Sequence, residues 1–227
     1  ILGGAALGLA GFIALGLTLE QRPQRFDPQV KAALSGIDNW RDRSGCTVNT
    51  RPRKGQVARC VQAAQAAGHP IAFLIGDSHA GALSKPLRTA LEARGYALVT
   101  FTHPACYPVQ GVRRLPLSGS QSCQEFAARA FAAAGRLPDA PVFVFARWAL
   151  NFEGDRFDNG AGGHETGPDG AVYAEGYAAA NPAERQAQVI AQSVAQLAPL
   201  ARAGRLILVE SLPEAGWAVP LRLQKLA

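Results

Sequence analysis

The 227-residue chain contains no methionine at all, so it is expected to be an internal piece of a longer protein rather than to begin at a translation start. Cysteine is scarce: four residues, Cys46, Cys60, Cys106 and Cys123, none in a C-x-x-C or C-x-x-x-H spacing. That spacing excludes a zinc knuckle or a thioredoxin-like redox centre and points to disulfides. Three pairings are possible. The most local, Cys46–Cys60 with Cys106–Cys123, would close loops that contribute about 3 kcal/mol each, and such bonds imply an oxidising compartment. Charged residues make up only 18% of the chain against 48% hydrophobic, which excludes disorder and leaves enough apolar surface for one core. No metal site is expected, because Asp155, Asp158 and Asp169 do not match the spacing of a calcium loop.

Aromatic residues are also few, at 7%, and this bears on the net charge of +6. Nine basic residues lie between Glu20 and Cys60 (Arg22, Arg25, Lys31, Arg41, Arg43, Arg51, Arg53, Lys54, Arg59) against four acidic ones. That segment therefore holds +5 and the remainder about +1. A basic stretch without interleaved aromatics does not read as a nucleic-acid surface. It reads either as a solvated linker or as a contact with lipid headgroups or a polyanionic envelope polymer.

Residues 1–19 carry no charge over about 28 Å of helix rise, close to the thickness of a bilayer core. A signal peptide would need a basic leading region, a shorter apolar core and a small-residue cleavage site. The expectation is thus a transmembrane helix at 1–19, a basic linker carrying one disulfide at 20–68, and an α/β domain at 69–227 facing the periplasm or cell exterior.

Within that domain, IAFLI (71–75), YALVTF (96–101), VFVFA (142–146) and RLILVE (205–210) read as strands. Helices are expected over 80–94, interrupted by Pro86 and stopped by Gly95, over 122–135, and over 183–203, opened by Asn181-Pro182 and closed by Gly204. Nearly all-apolar strands alternating with helices predict a parallel sheet covered on both faces. Ligands bind such sheets beyond the carboxyl ends of the strands. That rim would gather Gly76-Asp77-Ser78-His79, the segment from Thr102 to Cys106, Arg147-Trp148, and Ser211 to Glu214. Residues 152–182, with seven glycines, are expected to form a lid, a small hairpin or a disordered excursion.

At Gly76-Asp77-Ser78-His79-Ala80 a buried strand turns into a helix. A serine in the first helical turn exposes its hydroxyl beside backbone N–H groups suited to an oxyanion; alternatively, Asp77 and Ser78 are simply helix caps. The run IGDSHAGAL closely resembles the first block of the SGNH, or GDSL-like, hydrolase superfamily. Its GDSHA form looks like the SGNH domain fused to type-three membrane acyltransferases. Cys106-Tyr107-Pro108, Ala146-Arg147-Trp148, and Pro213-Glu214 with Val219-Pro220 extend the likeness along the chain.

The resemblance implies a flavodoxin-like α/β fold, Ser78 as acyl-accepting nucleophile, its N–H in the oxyanion hole, and Gly76 and Asp77 supporting the turn. His79, Arg147, Trp148 and Asn151 become candidate site-lining residues. It implies no cofactor, a glycan acceptor, and an acyl donor delivered across the membrane by helices elsewhere in the same chain. The expected activity is extracytoplasmic serine O-acyl transfer, of acetyl, to an envelope glycan. A glycan esterase and a non-catalytic glycan-binding module are the alternatives. Two departures stand out. The superfamily's oxyanion Gly and Asn are replaced by Ala105-Cys106 and Arg147-Trp148 at the corresponding strand ends. The D-x-x-H block that supplies the base is absent from this sequence, so the piece alone is expected to be nearly inactive. His103, on the same rim, is a weaker candidate base.

Overall fold

In chain order the elements are β1 (Thr47–Val48), α1 (Gln56–Ala66), β2 (Ile71–Gly76), α2 (Ser78–Glu92), β3 (Ala97–Thr102), β4 (Val112–Arg114), α3 (Ser120–Gly135), β5 (Val142–Phe145), α4 (Trp148–Glu153), β6 (Val172–Ala174), α5 (Pro182–Arg202) and β7 (Leu206–Leu208). They come from a computed structural model that describes residues 42, 44–48, 53–114, 120–160, 162–167, 170–176, 181–212 and 214. The span expected at 1–19 lies outside those residues. No helix among the described residues is long and apolar enough to cross a membrane.

Five strands form one sheet in the order β1-β3-β2-β5-β7, and every neighbouring pair is parallel. Alternation along β2 divides its side chains between the two faces. Ile71, Phe73 and Ile75 join a core with Val57 and Val61 of α1, Phe126 and Ala130 of α3, and Leu197 of α5. Ala72 and Leu74 join the opposite core with Leu83, Leu87 and Leu91 of α2. The predicted parallel sheet, flanked by helices on both faces, is therefore present. β3 lies on one side of β2 and β5 on the other, so the winding reverses between β2 and β5. In doubly wound sheets that reversal opens a crevice at the strand ends.

At three places the structure changes or adds to the local expectations. Helix α2 runs through Pro86 without interruption. An interior proline costs the helix a hydrogen bond, but Ala80, Leu83, Leu87 and Leu91 pack on the sheet along its whole length, and this packing outweighs the local cost. Of the alternatives for 152–182, a small hairpin is present, with Asp158 bridged antiparallel to His164, and the described part of the segment is also tied to the rest of the domain. Its β6 pairs antiparallel with β4, Val112 to Ala174 and Arg114 to Val172. The buried Arg185 of α5 then donates to the carbonyls of Val172, at 3.1 Å, and Phe152. Finally, β1 and α1, in the segment expected as linker, belong to the same compact unit as the sheet, Asp38–Ala218. β1 pairs with β3, while Asp42 binds Arg88 of α2 at 2.7 Å.

Both disulfides adopt the most local pairing, Cys46–Cys60 and Cys106–Cys123. The first ties the residue before β1 to α1. The second ties the loop after β3 to α3.

Candidate active site at the β2–β5 crevice

Gly76 is required by close approach rather than by an unusual backbone angle. A Cβ built there would stand 1.7 Å from the carbonyl oxygen of Phe145 on β5. The strand ends can meet only if this residue has no side chain. Asp77 follows, 4% exposed, as the N-cap of α2. Its Oδ1 accepts the His79 backbone N–H at 2.8 Å, and its Oδ2 accepts the Arg147 backbone N–H at 2.9 Å. One carboxylate therefore caps the helix and bridges the reversal point.

With Asp77 capping, the Ser78 hydroxyl is not needed as the helix cap. It is the first residue of α2 and exposed, and no hydrogen bond engages its Oγ among the described residues. The His79 ring packs edge-on with that of Phe145, centroids 6.0 Å apart. His103 bonds through Nδ1 to the Pro104 carbonyl at 3.0 Å and packs edge-on against Phe126. Its backbone N–H donates to the Gly76 carbonyl at 3.0 Å, tying the β3 exit to the same turn. The imidazole also lies beside Cys106 and Cys123, but both sulfurs are held in the disulfide and offer no thiolate. Two residues on, Ala105 takes φ 61°, alone among the described non-glycine residues in having positive φ. This is a glycine-type conformation, held by an alanine in the loop that follows β3.

Arg147 sits at the N-cap of α4 with its side chain 14% exposed. The guanidinium chelates Glu165 through Nη1 (3.0 Å) and Nη2 (2.6 Å), and Glu214 through Nε (2.6 Å) and Nη2. Arg156 Nη1 adds a bond to Glu165 at 2.7 Å. These bonds, to Glu214 first and Glu165 second, raise the pKa of Arg147 well above its ordinary value despite partial burial. The Arg147 bonds hold Glu165 down to about 2, with Arg156 assisting against desolvation. Arg147 is thus engaged by protein carboxylates rather than free to meet a sugar.

Trp148 donates its indole N–H to the Val209 carbonyl at 2.7 Å and packs against Tyr107 and Phe152. Its ring helps line an apolar groove with Tyr107, Phe152, Leu197 and Leu208. Burial raises the Tyr107 hydroxyl to about 12, against an opposing pull from its bond to Ser193. Asn151 is buried. Its Oδ1 accepts from Arg114 at 2.7 Å and its Nδ2 donates to the Arg147 carbonyl at 2.7 Å, so it braces the turn from beneath.

The structure therefore brings Gly76, Asp77, Ser78 and the Arg147 backbone together, with Asn151 one bond away. It turns the rings of His79 and Trp148 to packing roles. Sequence reasoning missed Glu165 and Arg156, whose partnership spans a glycine-rich segment with no periodic signal. Glu214 stood in a rim segment without a role.

No curated protein and no solved structure gives a match to this chain. A protein-family model described as "SGNH domain (fused to AT3 domains)" matches residues 45–227. The match takes in the strand-to-helix turn at Ser78, both strand ends of the crevice and the Arg147 cluster, and the chain belongs to the family of SGNH domains fused to AT3 domains.

Proposed function

We propose that the chain is the extracytoplasmic part of a membrane-bound serine O-acyltransferase that passes an acyl group, acetyl, through an acyl-Ser78 intermediate to a hydroxyl of an envelope glycan. Its family makes it a module of the acyltransferase or esterase type. The observation that carries the assignment to Ser78 is the division of labour at the turn. Asp77 performs the capping, and the neighbouring serine stands exposed at the reversal of the sheet, its hydroxyl bonded to none of the described residues. A serine needed only as a cap would use its own oxygen on the helix N–H groups.

In the first step the Ser78 Oγ attacks the donor carbonyl. An O–C bond forms, the serine proton passes to a base supplied from outside the described residues, and the negative oxygen of the tetrahedral intermediate is held by the Ser78 N–H. Collapse expels the donor's leaving group with a proton. In the second step a glycan hydroxyl attacks acyl-Ser78, forming the new ester and restoring the serine. Water in place of the glycan would give hydrolysis by the same chemistry. Two disulfides support an oxidising compartment, and fusion to AT3 domains supports a membrane attachment.

The test is labelling of the full-length protein with a serine-directed fluorophosphonate. Labelling is expected in the wild type and lost in Ser78→Ala. Persistence of labelling in the variant, or none in folded wild type, would reject Ser78 as the nucleophile. Incubation with a glycan acceptor and an activated acetyl ester then separates transfer from hydrolysis by the product formed.

A further inference from the structure

We propose that Arg147 is a positioning residue, which fixes the nucleophile turn by joining it to two distant segments of the chain; this rests on the reading of Ser78 above. Its backbone is pinned at both ends. The N–H donates to Asp77 Oδ2 at 2.9 Å, and the C=O accepts from Asn151 Nδ2 at 2.7 Å and Asn151 N at 3.2 Å. Its guanidinium is chelated by Glu165, from the segment between α4 and β6, and by Glu214, beyond β7. Glu165 is held in turn by Arg156 at 2.7 Å, and its own N–H donates to the Phe157 carbonyl at 2.9 Å.

Among the described residues the cluster sets two guanidinium groups against two carboxylates, so these paired charges do not need bulk water to neutralise them. Isolated exposed ion pairs contribute little, but shielded bidentate forks are both stronger and directional. Directionality is the point here. Fixing the plane of the guanidinium restricts the side chain, and through it the backbone whose N–H Asp77 accepts. Asp77 in turn sets the start of α2 and the aim of the Ser78 hydroxyl. Lysine carries the charge but cannot fork to two carboxylates.

Three variants of the full-length protein test this: Arg147→Lys, Glu165→Gln and the two combined. Hydrogen–deuterium exchange over residues 145–150 reports the Arg147 amide. Fluorophosphonate labelling rate reports Ser78, and thermal melting reports global stability. Each single variant is expected to speed exchange at that amide and to slow labelling, each by about tenfold. Exchange along β2 should stay unchanged, and the double variant should be no worse than the worse single. Should Arg147→Lys fail to fold, the isosteric Glu165→Gln decides alone. Unchanged exchange at the Arg147 amide, additive labelling losses, or a labelling loss that only tracks melting would overturn the proposal. Exchange does not depend on the identity of the nucleophile. Labelling that survives Ser78→Ala would therefore remove the functional reading while the exchange result still decides the clamp.

Discussion

Asp77 and Arg147 stand 70 residues apart in sequence, yet Asp77 Oδ2 accepts the Arg147 backbone N–H at 2.9 Å across the ends of β2 and β5. This bond links the Ser78 turn to the end of the neighbouring strand without using either residue's charge on a surface partner. The other oxygen caps α2, so both halves of the carboxylate are committed to backbone. Asp77→Asn replaces one acceptor oxygen by an N–H donor that faces another N–H. It is expected to cost about 1–3 kcal/mol in denaturant titration and to slow labelling of Ser78.

Gly76→Ala is expected to be more damaging than its single methyl group suggests. The added carbon would meet the Phe145 carbonyl at 1.7 Å and the Ala80 Cβ at 2.6 Å, and β2 and β5 must part to admit it. A loss of about 3 kcal/mol or more follows, measured as a fall in melting temperature or failure to accumulate folded protein. Near-wild-type stability in this variant would contradict the packing described at the crevice.

Asp42 supplies a pH dependence away from the site. Burial alone would raise its pKa, but hydrogen bonds from Arg88, Ser44 and Thr47 outweigh this and hold it at about 2. A carboxyl whose folded pKa lies below its unfolded value stabilises the fold above the unfolded pKa and loses that contribution as pH falls through the folded one. The window is therefore from about 4 down to about 2, and the contribution about 1–2 kcal/mol after allowance for solvent screening. Stability profiles of wild type and Asp42→Asn should differ at neutral pH and converge towards pH 2.

Arg185→Met tests how the 152–176 segment is held. Arg185 is 3% exposed and donates to carbonyls of Asn151, Val172, Phe152 and Glu153, with its guanidinium carbon 5.6 Å from the Tyr173 ring centroid. Methionine fills similar volume but removes the Arg185 donor from all four carbonyls, that of Phe152 keeping a bond from Gln186 Nε2 at 3.1 Å. A loss of about 2–3 kcal/mol is expected, with exchange protection falling first at β4 and β6.

Ala105→Gly should move in the opposite direction. Its φ of 61° is a conformation in which a Cβ is strained, and relief of that strain, less the added freedom of the unfolded chain, is expected to stabilise by about 0.5–1 kcal/mol. A melting temperature at or below wild type would show that the loop owes its shape to contacts of the methyl group.

What could be read from the sequence was what is encoded locally. IAFLI and VFVFA announce buried strands because each residue meets a covered face, and Gly95 and Gly204 end helices at positive φ as expected. The GDSHA turn was recognisable because strand, glycine, cap and helix follow one another directly. The missed elements depend on distant partners. β1 has two residues and β4 and β6 three each, too short for any period to show. Their pairing is decided by tertiary contacts, as is the passage of α2 through Pro86. The same holds in the site, where Asp77 and Ser78 were legible but the carboxylates around Arg147 were not. Ion pairs between segments leave no spacing rule behind them. RLILVE announced a strand as well, yet Ile207 and Leu208 of β7 remain 40% and 56% exposed, because apolar composition does not say whether a strand lies inside a sheet or at its margin.

β1 shows how such a short element persists. Thr47 and Val48 supply only two ladder positions. The segment is nevertheless fastened by Cys46–Cys60, by Asp42 to Arg88 and Thr47, and by Gln56 Nε2 to the Gly45 and Thr47 carbonyls at 2.8 and 3.0 Å. The margin of the sheet is therefore secured by a sulfur bridge and a handful of polar ties in place of strand length. Loss of Cys46–Cys60 or of the Asp42 carboxylate alone would loosen the fold from this side, two strands away from the Ser78 turn.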